Sequence, residues 1–207
     1  MEDSRLYLVA PAQLPSGALS DLVPELAEAG VDLIQLREKD AEAGELLKLA
    51  GPVAEACRAA EVPFVLNDRP DVALALKADG VHVGQGDLPI EFTRRFFGEG
   101  IVGLSTHGRG EVDRALSRSD LIDYFAVGPC FTTPTKPGRP AAGLELIRYT
   151  AEQHTTLPWF AIGGIDESNL DEVLGAGATR IVVVRAITEA PDPVAAAASL
   201  KKRLLDA

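Results

Sequence analysis

The sequence predicts an α/β fold, a single-domain (β/α)8 TIM barrel over residues 1–207. Three observations predict it. Short apolar runs recur eight times, each followed by turn residues and then by apolar residues at helical spacing. Several of the runs are near-continuous rather than alternating, as in parallel strands buried on both faces. No linker or change of composition divides the chain. Strands alternating with helices indicate a parallel α/β architecture. Doubly wound sheets tend to have about five or six strands, whereas a closed barrel needs eight. Such barrels run to roughly 250 residues, with about 200 as the lower end, so a chain of 207 is a lean example.

The predicted strands, in order, are RLYLV (5–9), DLIQL (32–36), PFVLN (63–67), GVHV (80–83), IVGL (101–104), LIDYFAV (121–127), WFAIG (159–163) and RIVVV (180–184). Between them, ALSDLVPELAEAG (18–30) puts Leu19, Leu22, Val23 and Leu26 on one helical face, and Gly30 ends it. AGELLKLAGPVAEACRAAE (43–61) is helical with a kink expected at Pro52. SNLDEVLGAG (168–177) carries Ser168 and Asp171 in capping-box spacing before its terminal glycine.

Apolar residues make up 46%, enough for a substantial core. A formal net charge of −11 argues against a nucleic-acid partner, so an anionic ligand would need cations gathered locally. The two cysteines, Cys57 and Cys130, form no CxxC pair and read as buried free thiols in a reducing compartment. The N-terminal MEDSRLYLVA has no signal-peptide pattern, and no apolar stretch reaches membrane-spanning length. The expectation is a soluble, cytoplasmic protein acting on small molecules, with no membrane partner. Barrel helices present many patches, so a homo-oligomer is allowed for.

Chemistry in a barrel belongs at the C-terminal ends of the strands. After the second strand, QLREK places Gln35, Arg37 and Lys39 on one face, with Leu36 and Glu38 on the other. Two cations and an amide there suit a phosphate or diphosphate; a solvated strand end is the plainer account. NDRP and VGQGD follow the third and fourth strands. Asp68 and Asp87 each precede a helix with proline in its first turn, so each suits an N-cap. Together, at adjacent strand ends, they also suit one hard cation such as Mg²⁺. Asn67 ends its strand, where it can bond a heterocycle or phosphate. In GLSTH, Ser105 offers a hydroxyl, and His107 reads as a proton carrier or as a rim histidine. No Ser-His-Asp order points to a hydrolase. IGGID and VVVRAI end the last two strands, where barrels often bind phosphate, and Gly163 and Gly164 permit close backbone approach.

GPCFTTPTKPGRPAAG (128–143) holds four prolines and three glycines, which exclude a helix interior or central strand. This loop after the sixth strand brings Thr133, Thr135 and Lys136 to the same rim. Two phosphate sites suggest the joining of two phosphorylated molecules.

QLREKD, LNDRPDVAL, ADGVHVGQGDL, GLSTH, DYFAVGPCFTTPTKPG, PWFAIGGI and VVVRAIT occur in this order over essentially the whole chain. They resemble the thiamine phosphate synthase (thiamine-phosphate pyrophosphorylase) family. The resemblance implies a transferase of thiamine biosynthesis that condenses 4-amino-2-methyl-5-hydroxymethylpyrimidine diphosphate with hydroxyethylthiazole phosphate, or its carboxylated form, releasing pyrophosphate. It implies a pyrimidine diphosphate site of Gln35, Arg37, Lys39, Asn67, Ser105 and Lys136, and Mg²⁺ on Asp68 and Asp87. It implies a thiazole phosphate site of Thr133, Thr135, Gly164, Val184, Arg185 and Ile187. Arg185 stands where many members carry serine, which touches side-chain contacts there but not backbone ones. The implied reaction is dissociative, with Arg37, Lys39 and Lys136 stabilising the leaving group. TPTK (133–136) is expected to hold both ligands and PGRPAAG (137–143) to close over them as a flap. A thiazole tautomerase of the related barrel type, with His107 moving the proton, is the alternative, and a non-catalytic phosphate-binding barrel is a third reading.

Overall fold

Eight parallel strands close on themselves in chain order. They are β1 (Leu6–Ala10), β2 (Leu33–Leu36), β3 (Phe64–Asn67), β4 (Gly80–Val83), β5 (Ile101–Thr106), β6 (Tyr124–Val127), β7 (Trp159–Ile162) and β8 (Ile181–Val183). The ring shuts where Leu6, Tyr7 and Leu8 pair with Ile181, Val182 and Val183. This computed structural model describes residue 1 and residues 3–132 and 142–207. Each sequence-predicted strand lies within about two residues of an observed one, apart from the first three residues of the sixth, the ordinary uncertainty of boundaries.

The helices are α1 (Leu19–Glu28), α2 (Ala43–Ala59), α3 (Pro70–Leu76), α4 (Ile90–Phe97), α5 (Arg109–Ser117), α6 (Leu144–Ala151), α7 (Leu170–Gly175), α8 (Arg185–Thr188) and α9 (Pro193–Asp206). α1 buries Leu19, Val23 and Leu26, and Gly30 follows at φ 97°, a value that suits a residue without Cβ. α2 continues through Pro52. One helix was not anticipated: α8 is a single turn that begins as β8 ends.

Alternation along the strands sorts the apolar residues into two bodies. Leu6, Leu8, Ile34, Leu36, Phe64 and Leu66 face outward and pack under the helices. Tyr7, Val9, Leu33, Val65, Tyr124, Phe160 and Val182 fill the barrel interior. Tyr7, Tyr124 and Phe160 meet edge to face with ring centroids 5.5–5.7 Å apart.

At the N-terminal end of the barrel, aspartates tie neighbouring strands. Asp32, just before β2, accepts from the N–H groups of Arg5 and Leu6 at 2.8 and 2.9 Å. Asp79, before β4, accepts from Phe64 N–H at 2.8 Å. Asp123, before β6, accepts from Val102 N–H at 2.8 Å and from Arg94 at 2.5 Å. Lys201 of α9 closes on Asp32, with Nζ 2.5 and 2.6 Å from the carboxylate oxygens.

The capping box expected at Ser168 and Asp171 does not form. Asn169 is the N-cap of α7, Ser168 bonds Asp166, and Asp171 pairs with Arg203 at 2.5 Å. A short Asx-type turn at Asp166 competes for the serine, which explains the difference. Cys57 and Cys130 are buried and free, as expected, and burial pushes both thiols up to about 12. Among the described residues no helix is long and apolar enough to cross a membrane.

Candidate active site at the C-terminal rim

β3 runs out at Asn67, and the next residue turns sharply. Asp68 takes φ 62°, in the left-handed region that aspartate tolerates better than most side chains, and its N–H bonds His82 O at 2.8 Å. This strained position sets its carboxyl against that of Asp87 from the loop after β4. Asp87 is held in turn by Gly84 N–H, 2.7 Å from Oδ2. Burial, followed by the Asp87 carboxylate, pushes the Asp68 carboxyl up to about 6, while Arg37 and Asn67 pull it down. Arg37, Asn67, Asp68 and Asp87 therefore form one electrostatic group. Neither aspartate caps its following helix: the N-caps of α3 and α4 are Arg69 and Pro89, with no side-chain cap bond.

β2 stops at Leu36, so the strand alternation expected to carry Lys39 beside Gln35 and Arg37 does not reach it. Arg37 is half-buried, its N–H on Ala10 O, whereas Lys39 is exposed in the following turn. Glu38 accepts from Ala12 N–H at 2.7 Å. Gln35 points into the barrel and is 3% exposed.

On the same rim a cavity of about 350 Å³ opens between the ends of β5 to β8. Ser105 and His107 line one side; Gly163, Gly164, Val184 and Arg185 line the other. Gly163 and Gly164 have φ 106° and 68°. A Cβ on Gly163 would lie 2.4 Å from Pro129 Cβ, so the close packing of the two strand ends requires glycine. Asn169 pins this turn, donating to Gly164 O at 2.8 Å and accepting from Asp166 N–H at 3.0 Å. His107 is tied to Glu111, which its N–H and Nδ1 meet at 2.8 and 3.0 Å. Arg185 stands 3.9 Å from Glu189. Ile187 does not face the cavity: its side chain is fully buried in the outer core and its N–H bonds Val184 O.

Thr133, Thr135 and Lys136, and the flap expected over 137–143 except its last two residues, lie outside the described residues. The loop that carries them starts and ends at one place: Ala142 and Gly143 N–H both reach Pro129 O, at 2.8 and 3.2 Å.

Side chains that the sequence reading passed over also belong here. His82 Nε2 lies 2.9 Å from Ser105 Oγ, its Nδ1 2.9 Å from Tyr124 Oη, and Tyr124 Oη 2.8 Å from Tyr7 Oη. Gln35 Nε2 completes the line by donating to Tyr7 Oη. The available signal was a histidine or tyrosine inside a mostly apolar run, GVHV, RLYLV and LIDYFAV.

A closed barrel with a carboxylate pair, a nearby arginine and a glycine-edged cavity on one rim defines a phosphate-handling (β/α)8 enzyme. Comparison with known proteins gives the family. Residues 6–187 match the family described as thiamine monophosphate synthase. The thiamine-phosphate synthase of Acidothermus cellulolyticus is 51% identical over 205 residues, covering 99% of this chain and 96% of the relative. That of Thermus thermophilus is 53% identical over 203 residues, covering 97% of each. The structure of thiamine phosphate pyrophosphorylase from Pyrococcus furiosus superposes with a TM-score of 0.86 at 32% identity, covering 98% of this chain and 96% of that one. The chain belongs to the thiamine monophosphate synthase family, transferases of thiamine biosynthesis.

Proposed function

We propose that this chain, acting as a single domain, joins 4-amino-2-methyl-5-hydroxymethylpyrimidine diphosphate to hydroxyethylthiazole phosphate, giving thiamine phosphate and pyrophosphate. The observation that carries the assignment of the site is the meeting of Arg37, Asn67, Asp68 and Asp87 on the barrel rim that also carries a cavity edged by Gly163 and Gly164. Gln35, Arg37, Asn67 and Ser105 take the pyrimidine diphosphate, with Lys39 and Lys136 as further cations. The thiazole phosphate occupies the cavity by Gly164, Val184 and Arg185, with Thr133 and Thr135 from the long loop.

Asp68 and Asp87 suit a hard divalent cation. Burial, and after it the Asp87 carboxylate, push the Asp68 carboxyl upward against the pull of Arg37, an environment that a further positive charge would relieve. Among the described residues no third His, Cys, Asp or Glu joins them, which leaves coordination positions for phosphate oxygens and water. Mg²⁺ held there would supply charge neutralisation to the diphosphate.

In the substitution the bond between the pyrimidine methylene and the diphosphate oxygen breaks, and its electron pair leaves with pyrophosphate. The thiazole nitrogen donates its lone pair to the methylene carbon and forms the new C–N bond. The transfer needs no protein nucleophile. Arg37 faces the oxygens where negative charge grows, and preorganised charge of this kind is a large catalytic term. The cavity aligns the thiazole nitrogen with the methylene. Isomerisation of the thiazole alone would have no use for the carboxylate pair.

The test incubates both substrates with Mg²⁺ and folded protein. Formation of thiamine phosphate with one equivalent of pyrophosphate is expected; absence of product above background would overturn the reading.

A further inference from the structure

Five side chains form one continuous hydrogen-bonded line across the barrel interior: Gln35, Tyr7, Tyr124, His82 and Ser105. Its ends, Gln35 and Ser105, both belong to the pyrimidine site assigned above. Its middle is buried in the barrel interior. Tyr7 and Tyr124 are at most 1% exposed and His82 is 6% exposed. The sequence makes room for the line at Gly103, where a Cβ would lie 2.4 Å from Tyr124 Oη and 2.6 Å from His82 Nδ1. Five of the eight strands give an inward position to this line, where an apolar core would be simpler, so the line calls for a use.

The line has a direction. Burial holds both phenols well above their ordinary range, so each keeps its single hydrogen. Gln35 donates to Tyr7, which leaves the Tyr7 hydrogen for Tyr124 and the Tyr124 hydrogen for His82 Nδ1. A neutral imidazole that accepts at Nδ1 carries its proton at Nε2. That proton points at Ser105 Oγ, 2.9 Å away, and occupies one acceptor position there. The serine hydrogen is then turned outward, into the cavity that Ser105 lines. Run in reverse, the line would bring two donors onto Tyr7 oxygen and deprive the Tyr7 hydrogen of both these partners. Gln85 fixes the serine main chain as well, donating to Ser105 O at 2.7 Å.

We propose that His82, Tyr124 and Tyr7 are positioning residues for the condensation, which hold the Ser105 hydroxyl as a hydrogen-bond donor to the pyrimidine substrate. The acceptor is a ring nitrogen or a diphosphate oxygen, both of which lack hydrogen. The proposal rests on the assignment of Ser105 to that substrate. It adds three buried residues and sets the donor sense of a fourth.

A double-mutant cycle on kcat/KM for the pyrimidine diphosphate tests it, with Tyr124→Phe and Ser105→Ala alone and combined. His82 stands between the two hydroxyls, and effects that did not pass through it would multiply. Each single variant is expected to lose on the order of ten-fold, and the double variant no more than about two-fold beyond Ser105→Ala. KM for the thiazole phosphate should stay near the parent value throughout. Losses that multiply, or a Tyr124→Phe variant as active as the parent, would overturn the proposal. Thermal melts confirm that each variant is folded. If Tyr124→Phe does not fold, Tyr7→Phe enters the same cycle, with the same two outcomes deciding. A parent protein that makes no thiamine phosphate would instead sink the functional assignment, which keeps the two failures apart.

Discussion

The carboxyl of Asp68 faces that of Asp87 across the ends of β3 and β4, and burial together with this neighbour pushes Asp68 up to about 6. The folded value lies above the ordinary 3.8, so the folded chain keeps a proton that the unfolded chain has lost between these two values. This group's contribution to stability is therefore fully present below about pH 4 and lost as pH rises through 6. A divalent cation should reverse the loss by binding the ionised pair. Thermal melts with and without Mg²⁺ are expected to show a clear upward shift at pH 7.5 and a much smaller one at pH 5. Equal shifts at both, or a shift that survives Asp87→Asn, would place the metal elsewhere.

Arg37 is the cation that pulls the Asp68 carboxyl down. Arg37→Ala should reduce kcat/KM by about a hundred-fold or more. It should also raise the Asp68 carboxyl further, which moves the acid limb of the pH–rate profile upward. A profile that keeps its shape would separate Arg37 from the carboxylates.

Gly164→Ala should raise KM for the thiazole phosphate several-fold, because φ 68° and a Cβ only 3.0 Å from Phe131 Cβ force the turn to shift. The conformational cost is about 1 kcal/mol. Gly163→Ala should be worse, since its Cβ meets main-chain Pro129 Cα at 2.5 Å, and a lower melting temperature would register it.

Asp32→Ala acts at the opposite end of the barrel. It removes acceptors for two N–H groups and the counter-ion of Lys201, and should cost about 2–3 kcal/mol in chemical denaturation. Turnover per folded molecule should be unchanged, because this end of the barrel serves stability. A kinetic defect in the folded fraction would contradict that division.

Arg185→Ser tests whether the guanidinium contributes to binding. The side chain is exposed and 3.9 Å from Glu189, a weak tether. Replacement should change kcat/KM for the thiazole phosphate by no more than about three-fold. A larger loss would make this arginine a true phosphate ligand.

The strands were legible because continuous apolar runs and turn residues leave little choice of period. That Asp68, Asp87, Gly163 and Gly164 stand just after strand ends was legible from their position in the pattern of runs and turns. Lys39 was placed less well, since β2 ends at Leu36, and the burial of the Ile187 side chain by α8 was not foreseen, although the expectation there concerned the backbone. Neither event follows from residue type alone. Tyr7, His82 and Tyr124 were missed for a different reason. Each sits in a run whose apolar character dominates the pattern, and their partners come from strands tens of residues apart. Only closure of the ring brings them together.

The aspartates that tie β1 to β2, β3 to β4 and β5 to β6 also govern how the wall is assembled. A parallel strand that slides by one position turns every side chain to the wrong face, and apolar strands resist such slippage only through packing. Here each sliding error would also carry a carboxylate away from its N–H group and leave both without a partner. Correct alignment is thus marked at three fixed points apart from the packing of the interior, and the fourth pair of strands is aligned by closing against the first.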